Sequence, residues 1–322
     1  MTTPALITCI GETIVDFVAT APGSLREAGS FLKAAGGAPA NVTVGLSRLG
    51  SRSAFVGSVG DDPFGRFLVD SLRSEGVDVR GVRFDRERKT RLAFVSLTPS
   101  GERDFAFWEK SPADEILKLG PADMRRIARS RIVHVSSFML LKSSPRATIL
   151  RLTAQLRRLG ILVSFDPNLR LSLWDSRSEA RRLIWKMIGL CDIARMNDEE
   201  ACFITGQQLP GVAGAAILNH GPAIVVITHG EKGCSFFSRK GSGSVPGFSV
   251  RAADTTGCGD AFLAALLHGL ANQLVHIDLL TADVLHSICR YANAVGALTS
   301  LHAGAMAIPS PAAVDQFLRE QG

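Results

Sequence analysis

The sequence predicts an α/β fold: a mostly parallel sheet sandwiched by helices, with a small separate β-sheet attached. Short apolar runs of strand length alternate with longer stretches of helical periodicity. The helical stretches open and close at proline, aspartate, serine and glycine, the residues that punctuate helices. Two regions break the alternation and read with period two. Strands separated by helices need crossover connections, and sheets built that way are parallel and covered on both faces.

Leu6–Ile10 is the first apolar run, and Ile14–Val18 follows with alternating residues. Pro39 starts a helix that Gly50 ends, and Ala54–Val59 is the next strand. Asp62-Pro63 reads as cap and first residue of a helix closed by Gly76. Arg91–Thr98 and Asp104–Trp108 alternate around a Pro99-Ser100-Gly101 turn. With Ile14–Val18 they predict an antiparallel sheet outside the main layer. Such a sheet must pack on something: a cleft that it covers, a dimer interface, or both. Ile132–Ser136, Ile161–Phe165, Asp192–Met196 and Ile224–Thr228 supply further strands of the main layer. Ser144-Pro145 opens a helix that Gly160 stops. A β-type segment, Phe248-Ser249-Val250, precedes a long helix from Ala261 to Ala271. No repeat, low-complexity tract or long linker divides the chain. Residues 1–322 therefore read as a single domain, with lid segments at about 12–34 and 86–111.

At 46% hydrophobic and 20% charged residues, the chain can bury a large core. Lys and Arg exceed Asp and Glu by 36 to 30, a net charge of +6. The excess is scattered over helix surfaces (Arg125, Arg126, Arg157, Arg158, Arg181, Arg182), so no nucleic-acid partner is expected. A small anion such as a nucleotide suits it equally well. The six cysteines form no C-x-x-C pair, which argues against a zinc knuckle or disulfide scaffold and for a cytoplasmic, reducing location. MTTPALITCIGE has neither a positive region nor a long apolar core, so it does not read as a signal peptide. AFLAALLHGLANQLVHIDLL is interrupted by His268, Asn272, Gln273, His276 and Asp278, so no membrane association is expected. The histidines show no metal-ligand spacing.

The segment that carries chemistry is Asp254-Thr255-Thr256-Gly257-Cys258-Gly259-Asp260-Ala261-Phe262. Gly257 and Gly259 permit backbone angles that turn successive N–H groups the same way. Those donors, Cys258 among them, stand at a helix N-terminus, where the dipole also favours an anion. Asp260 falls in the first turn, at the lip of that anion hole. There it can accept the proton of a hydroxyl attacking a phosphoryl group. An aspartate at a helix start also serves as a plain cap. The string is neither a Walker A loop, which needs Lys after the last glycine, nor the G-x-G-x-x-G dinucleotide fingerprint.

Elsewhere, Asp16 lies in an apolar alternating strand, where a carboxylate is costly without partners, unless it is an edge-strand solubility device. Gly36, Gly37 and Asn41 open the Pro39 helix. Glycines let a ligand approach the backbone and an amide can donate and accept, although the same residues suit a simple loop. Asn168 and Arg170 follow the strand Ile161–Phe165 at its carboxyl end, where such sheets bind ligands. Asn197 to Glu200 is an acid-rich helix start that the dipole would favour in any case.

These segments together resemble the ribokinase-like (PfkB) carbohydrate kinases. The Asp254–Asp260 string is similar to their C-terminal signature, with Cys258 in place of the usual Ala. Their N-terminal signature is matched by Gly36-Gly37-Ala38-Pro39-Ala40-Asn41-Val42, Leu46–Gly50 and Val56–Gly65. The resemblance runs from about Ile10 to Pro309. It implies a Rossmann-like core with a β-sheet lid, ATP and Mg²⁺, and a homodimer formed through the lid. It implies Asp260 as catalytic base, with the anion hole at Gly257, Cys258 and Gly259. It places Asp16, Gly36, Gly37, Asn41, Phe107 and Arg170 at the sugar. It places Asn168, Asn197, Thr228, Gly230, Gly233 and Asn293 at the nucleotide, and Glu200 at Mg²⁺ through water. Asp254 and Thr256 are implied carbonyl donors to K⁺.

Gly11–Phe17, Gly101–Phe105 and Asp166–Leu171 with Leu173-Trp174 look like plant-type fructokinases within that family, so fructose and ATP are the expected substrates. Trp108-Glu109-Lys110 departs from the aromatic-Arg-Asn usual there. The runner-up is 2-keto-3-deoxygluconate, whose kinases set a lid Arg on the sugar acid. Glu109 would repel that acid, while Lys110 keeps it in play. A non-catalytic nucleotide-binding member would be expected to lose Asp260 or the glycines, and all are present. A nicotinamide dehydrogenase would need a glycine fingerprint after Leu6–Ile10, and Gly11-Glu12 does not supply it.

Overall fold

The structure, a computed structural model, describes residues 5–97 and 103–321. The expected Pro99-Ser100-Gly101 turn lies outside them. In chain order, β1 (Leu6–Ile10), β2 (Ile14–Ala19), β3 (Phe31–Gly36), α1 (Ala38–Arg48), β4 (Arg52–Gly60), α2 (Pro63–Ser74), β5 (Asp78–Asp85), β6 (Leu92–Leu97) and β7 (Arg103–Phe107) form the first part. There follow α3 (Pro121–Ile127), β8 (Ile132–Ser136), α4 (Ser143–Arg158), β9 (Leu162–Asp166), α5 (Arg177–Ile188), β10 (Ile193–Asn197), α6 (Asp198–Thr205), α7 (Pro210–His220) and β11 (Ile224–Thr228). The chain ends with β12 (Gly233–Ser238), β13 (Gly241–Pro246), α8 (Cys258–Ala271), α9 (Ala282–Thr299) and α10 (Pro311–Glu320).

The main sheet has nine strands in the order β13-β12-β11-β10-β9-β8-β1-β4-β5. From β11 to β5 every pairing is parallel, as the alternating pattern predicts. β12 and β13 extend the sheet antiparallel at one edge. At the other edge, β5 is a strand that alternation does not reveal. Ala54 pairs with Asp78 and Val56 with Gly81, so β5 carries an extra residue, and that bulge breaks its period. Apolar residues of α1, α8 and α9, such as Leu46, Leu266 and Val295, cover one face. Those of α4, α5 and α7, such as Leu152, Ile184 and Ile217, cover the other.

The lid is a separate sheet of four strands in the order β3-β2-β6-β7. It is mixed rather than antiparallel: β2 pairs antiparallel with β3, β6 antiparallel with β7, but β2 parallel with β6. β2 follows β1 and β6 follows β5, so both rise from parallel strands of the main sheet and run the same way. The bond from Val15 N–H to Arg91 C=O, 3.1 Å, ties their bases together. On one lid face, Phe17 stacks on Phe94 at 5.2 Å and meets Phe64 of α2. On the opposite face, Ala34, Asp16, Ala93 and Phe107 form one cross-strand row.

Helix boundaries follow the punctuation with small shifts. Asp62 caps α2 by accepting from Gly65 N–H at 2.8 Å. α4 starts one residue before the expected Ser144 cap, and α8 begins at Cys258 rather than Ala261. Phe248-Ser249-Val250 lies past the end of β13 without regular secondary structure, rather than in a strand.

Candidate active site

The site forms where the carboxyl ends of β9, β10 and β11 face the N-terminus of α8. Gly257 takes φ 75°, which glycine adopts without strain, and its Cα lies so close to Ala305 that a Cβ would sit 2.4 Å from that carbonyl oxygen. The expected Thr255–Gly259 turn is thus held against the 304–305 segment. Asp254 fastens it further: its carboxylate accepts from Thr256 N–H, Thr256 Oγ1 and Gly304 N–H at 2.8, 2.6 and 3.0 Å.

Asp260, in the first turn of α8, accepts from Asn41 Nδ2 at 2.8 Å. Helix packing sets that distance. One turn further along each helix, Gly45 of α1 crosses Ala264 of α8, and a Cβ on Gly45 would lie 2.6 Å from the Ala264 Cβ. Only a residue without a side chain lets the helices close far enough for Asn41 to reach Asp260. Burial pushes the Asp260 pKa up to about 6, against the Asn41 hydrogen bond and the charges of Arg195 and Arg170, which lower it. Asn41 Oδ1 is buried and has no hydrogen-bond partner among the described residues.

The lid brings Asp16 to the same place. A Cβ on Gly36 would fall 2.1 Å from Asp16 Oδ2, so the glycine clears the space that the carboxylate occupies. Gly37, at φ 101°, passes over the backbone of Glu12 and Thr13, where a Cβ would lie 2.7 Å from the Glu12 carbonyl oxygen. Phe107 stands in the cross-strand row of Asp16, on the face turned to the cleft. Glu12, which sequence reading quoted without assigning a role, is buried beneath Gly37 and accepts from Ser136 Oγ at 3.0 Å. Burial, with the nearby charges of Asp114 and Asp260, raises its pKa to about 8, so Glu12 is largely protonated at neutral pH.

A cavity of about 430 Å³ opens on the other side of the glycine turn. Asn197, Thr228, Gly230, Gly233, Cys258, Gly259 and Asn293 line it, so most of the nucleotide-side residues converge. Asn293 is fixed by donating to the carbonyls of Val245 and Pro246 at 3.2 and 3.0 Å. Asn168 and Arg170 are not in the cavity wall. Asn168 adopts φ 37° in a turn closed by its N–H on Asp166 Oδ1 at 2.9 Å. Glu200 pins that turn, accepting from Leu169 N–H at 2.6 Å, while its other oxygen accepts from Asn197 N–H at 2.9 Å. Asn197 Oδ1 accepts from Glu200 N–H in return, completing a capping box. Both Glu200 oxygens are therefore engaged by main chain. No group of three or more His, Cys, Asp or Glu among the described residues is arranged to hold a metal ion.

Arg195, absent from the sequence-based expectations, sits at the centre. Its Nη1 donates to Asp166 Oδ2 and its Nη2 to Thr228 Oγ1, each at 2.8 Å. A Cβ on Gly259 would lie 3.0 Å from both Nη atoms. Its one sequence signal is a charged residue inside the strand Asp192–Met196, the pattern that drew attention to Asp16.

A half-buried carboxylate at a glycine-rich helix N-terminus, between a nucleotide-sized cavity on one side and the lid on the other, is an arrangement suited to phosphoryl transfer from nucleotide to alcohol. Fold and site thus define a sugar kinase. The chain matches the model of the pfkB family carbohydrate kinases over residues 4–313, and it belongs to that family. It is 42% identical over 318 residues to probable fructokinase-7 of Arabidopsis thaliana, covering 97% of this chain and 92% of that protein. Its fold is similar to that of the ATP-bound fructokinase of Xylella fastidiosa, at TM-score 0.88, 30% identity and 98% coverage of both chains. It is also similar to a Vibrio cholerae fructokinase double mutant solved with fructose, ADP and potassium ion, at TM-score 0.87, 34% identity and 99% coverage of both. Among the described residues no single helix is long and apolar enough to cross a membrane.

Proposed function

We propose that this chain is an ATP-dependent fructokinase, transferring the γ-phosphoryl group of ATP to the 6-hydroxymethyl of fructose to give fructose 6-phosphate and ADP. The observation that carries the reading is Asp260. It is a half-buried carboxylate with a pKa near 6, held by Asn41 where the sugar cleft meets the N-terminus of α8. At neutral pH it is ionised and accepts the proton of the attacking hydroxyl; the N–H groups of Gly257 and Gly259 hold the charge on the phosphoryl oxygens, joined by that of Cys258 when it gives up its long 3.4 Å bond to the Thr255 carbonyl. Asp16, Asn41 and the main chain at Gly36 and Gly37 bind the sugar hydroxyls, and Phe107 supplies an apolar wall. Asn197, Thr228, Gly230, Gly233 and Asn293 hold the nucleotide, with Asn168 and Arg170 at its phosphate end. The relatives named above support fructose as the acceptor. Electrostatics supports a neutral sugar over a sugar acid. Asp16 and Asp260 line the cleft, and buried Arg91 on the lid is neutralised by Asp114 and Glu115 at 2.8 and 3.1 Å.

Mg²⁺ comes with the nucleotide and neutralises its phosphates when bound. With both oxygens engaged, Glu200 reaches it only through water. The Asp254–Thr256 carbonyls beside residues 300–305 suit a monovalent cation such as K⁺. Exposed Leu32 and Trp108, 67% and 70% accessible, favour a homodimer formed through the lid. The free thiols agree with a cytoplasmic location. A panel of sugars with ATP tests the reading. Fructose should exceed ribose, adenosine and 2-keto-3-deoxygluconate in kcat/KM by at least about tenfold, or about 1.4 kcal/mol. A faster turnover of any of the three would overturn fructose as the substrate.

A further inference from the structure

We propose that Arg195 is the fixed cation of the transfer step, holding the moving phosphoryl group from the strand side while the α8 amides hold it from the helix side. This inference rests on the kinase reading above. Arg195 lies in β10, in register with Val226 of β11, and its side chain crosses to the α8 side of the sheet. It is the single Lys or Arg in the wall of the nucleotide cavity among the described residues. The guanidinium fork is clamped by Asp166 of β9 and Thr228 of β11, so it cannot swing away, and its plane lies against the Gly259 backbone. Arg195 Nε is buried and has no acceptor among the described residues. That unpaired donor holds positive charge undiminished in the guanidinium, and the Nη edge beside Gly259 is the part that a phosphoryl oxygen resting on the α8 amides meets.

The charge count agrees. Asp166, Glu200 and Asp260 all act electrostatically on Arg195. A triphosphate approaching three carboxylates meets repulsion unless a cation stands between, and Arg195 occupies that place. It also favours the ionised form of Asp260, the form that can accept a proton. A lysine would keep the charge but lose the two-sided fork that fixes its position. Gly259 belongs to the same device: any side chain there would press on the guanidinium and tilt it out of the pocket.

The test compares Arg195→Gln, Arg195→Lys and the double variant Arg195→Gln/Asp166→Asn. The double variant removes the ion pair without leaving a buried lone carboxylate. Melting curves establish which variants fold. Steady-state kinetics with the best sugar gives kcat against pH, and calorimetry with a non-hydrolysable ATP analogue gives the Kd. We expect kcat to fall by about 10² to 10³ in both Gln variants, as for loss of one fixed electrostatic donor. In Arg195→Gln the acid limb of kcat/KM should move to higher pH, because Asp260 loses a neighbouring cation; in the double variant the lost charge of Asp166 offsets that move. Arg195→Lys should recover part of kcat, and analogue binding should weaken in the Gln variants. A folded double variant with kcat within about threefold of wild type, or a folded Arg195→Gln with an unmoved acid limb, would overturn the proposal, leaving Arg195 a structural partner of Asp166. Wild-type inactivity on every sugar is a different result, which overturns the kinase reading and this inference with it.

Discussion

Replacing Asp260 with Asn should make the protein a poorer enzyme and a more stable one. The carboxyl is raised from its ordinary 3.8 to about 6 by burial. In the folded state it therefore holds its proton more tightly than in the unfolded chain. Between about pH 4 and pH 6 the native state binds more protons than the unfolded state, so stability falls as pH rises through that window. Above it the full cost of an ionised buried group is present. The separation of 3.8 and about 6 corresponds to about 3 kcal/mol. Asparagine has the shape of the neutral acid and can still accept from Asn41 Nδ2. Asp260→Asn should thus recover up to about 3 kcal/mol at pH 7, a rise in Tm of roughly 5 °C, and no advantage at pH 4. Its kcat should fall by about 10² to 10⁴ with nucleotide binding largely kept. In the wild type, kcat/KM should rise toward a plateau with an apparent pKa near 6. Thermal melts at the two pH values, beside coupled kinase assays, check every part. A variant less stable than wild type at pH 7, or one with near-normal turnover, refutes the reasoning and leaves Asp260 as a structural partner of Asn41.

Gly36→Ala would drive a methyl into Asp16 Oδ2 and displace that carboxylate. KM for the sugar should rise about tenfold or more while the affinity for nucleotide stays unchanged, and a parallel loss of both would show a general collapse of the cleft. Arg91→Met strips the cation from Asp114 and Glu115 at a 4% exposed side chain, so urea denaturation should show a loss of about 3 to 5 kcal/mol. A loss under 1 kcal/mol would mean that the pair is dispensable to the lid base. Cys258→Ala should alter kcat by less than about threefold, because the anion hole uses main-chain donors. Cys258 lines the nucleotide cavity, so iodoacetamide should alkylate it and block activity, with ATP analogue and Mg²⁺ protecting. Inactivation that persists in Cys258→Ala would assign the effect to another thiol.

Legibility in the sequence depended on whether a feature is local. The Asp254–Asp260 string declares itself because its glycines and its acid are contiguous, although α8 opens three residues earlier than the apolar run suggests, at Cys258 instead of Ala261. β5 escaped because its bulge at Gly81 shifts the alternation by one residue. β3, Phe31–Gly36, escaped because Lys33 and two alanines blur its period. The parallel β2–β6 pairing could not be read from strands whose order in space is set by β1 and β5. Glu200 shows the converse: its spacing to Asn197 is visible, but only the fold shows both oxygens occupied by main chain. Arg195 is the clearest case. Its partners Asp166, Thr228 and Gly259 come from three elements distant in sequence, and no window along the chain contains them together.

The crossing of α1 and α8 at Gly45 and Ala264 has a consequence far from any ligand. It works as a spacer whose thickness fixes where a proton acceptor stands relative to a hydroxyl donor. A single added methyl at Gly45 touches neither sugar nor nucleotide, yet it must widen the helix pair and lift Asn41 away from Asp260. The two positions therefore constrain each other. Gly45→Ala alone should be damaging, and Ala264→Gly beside it should return the lost thickness. With Asp260 as the base, a methyl group inside the apolar core should thus set the turnover.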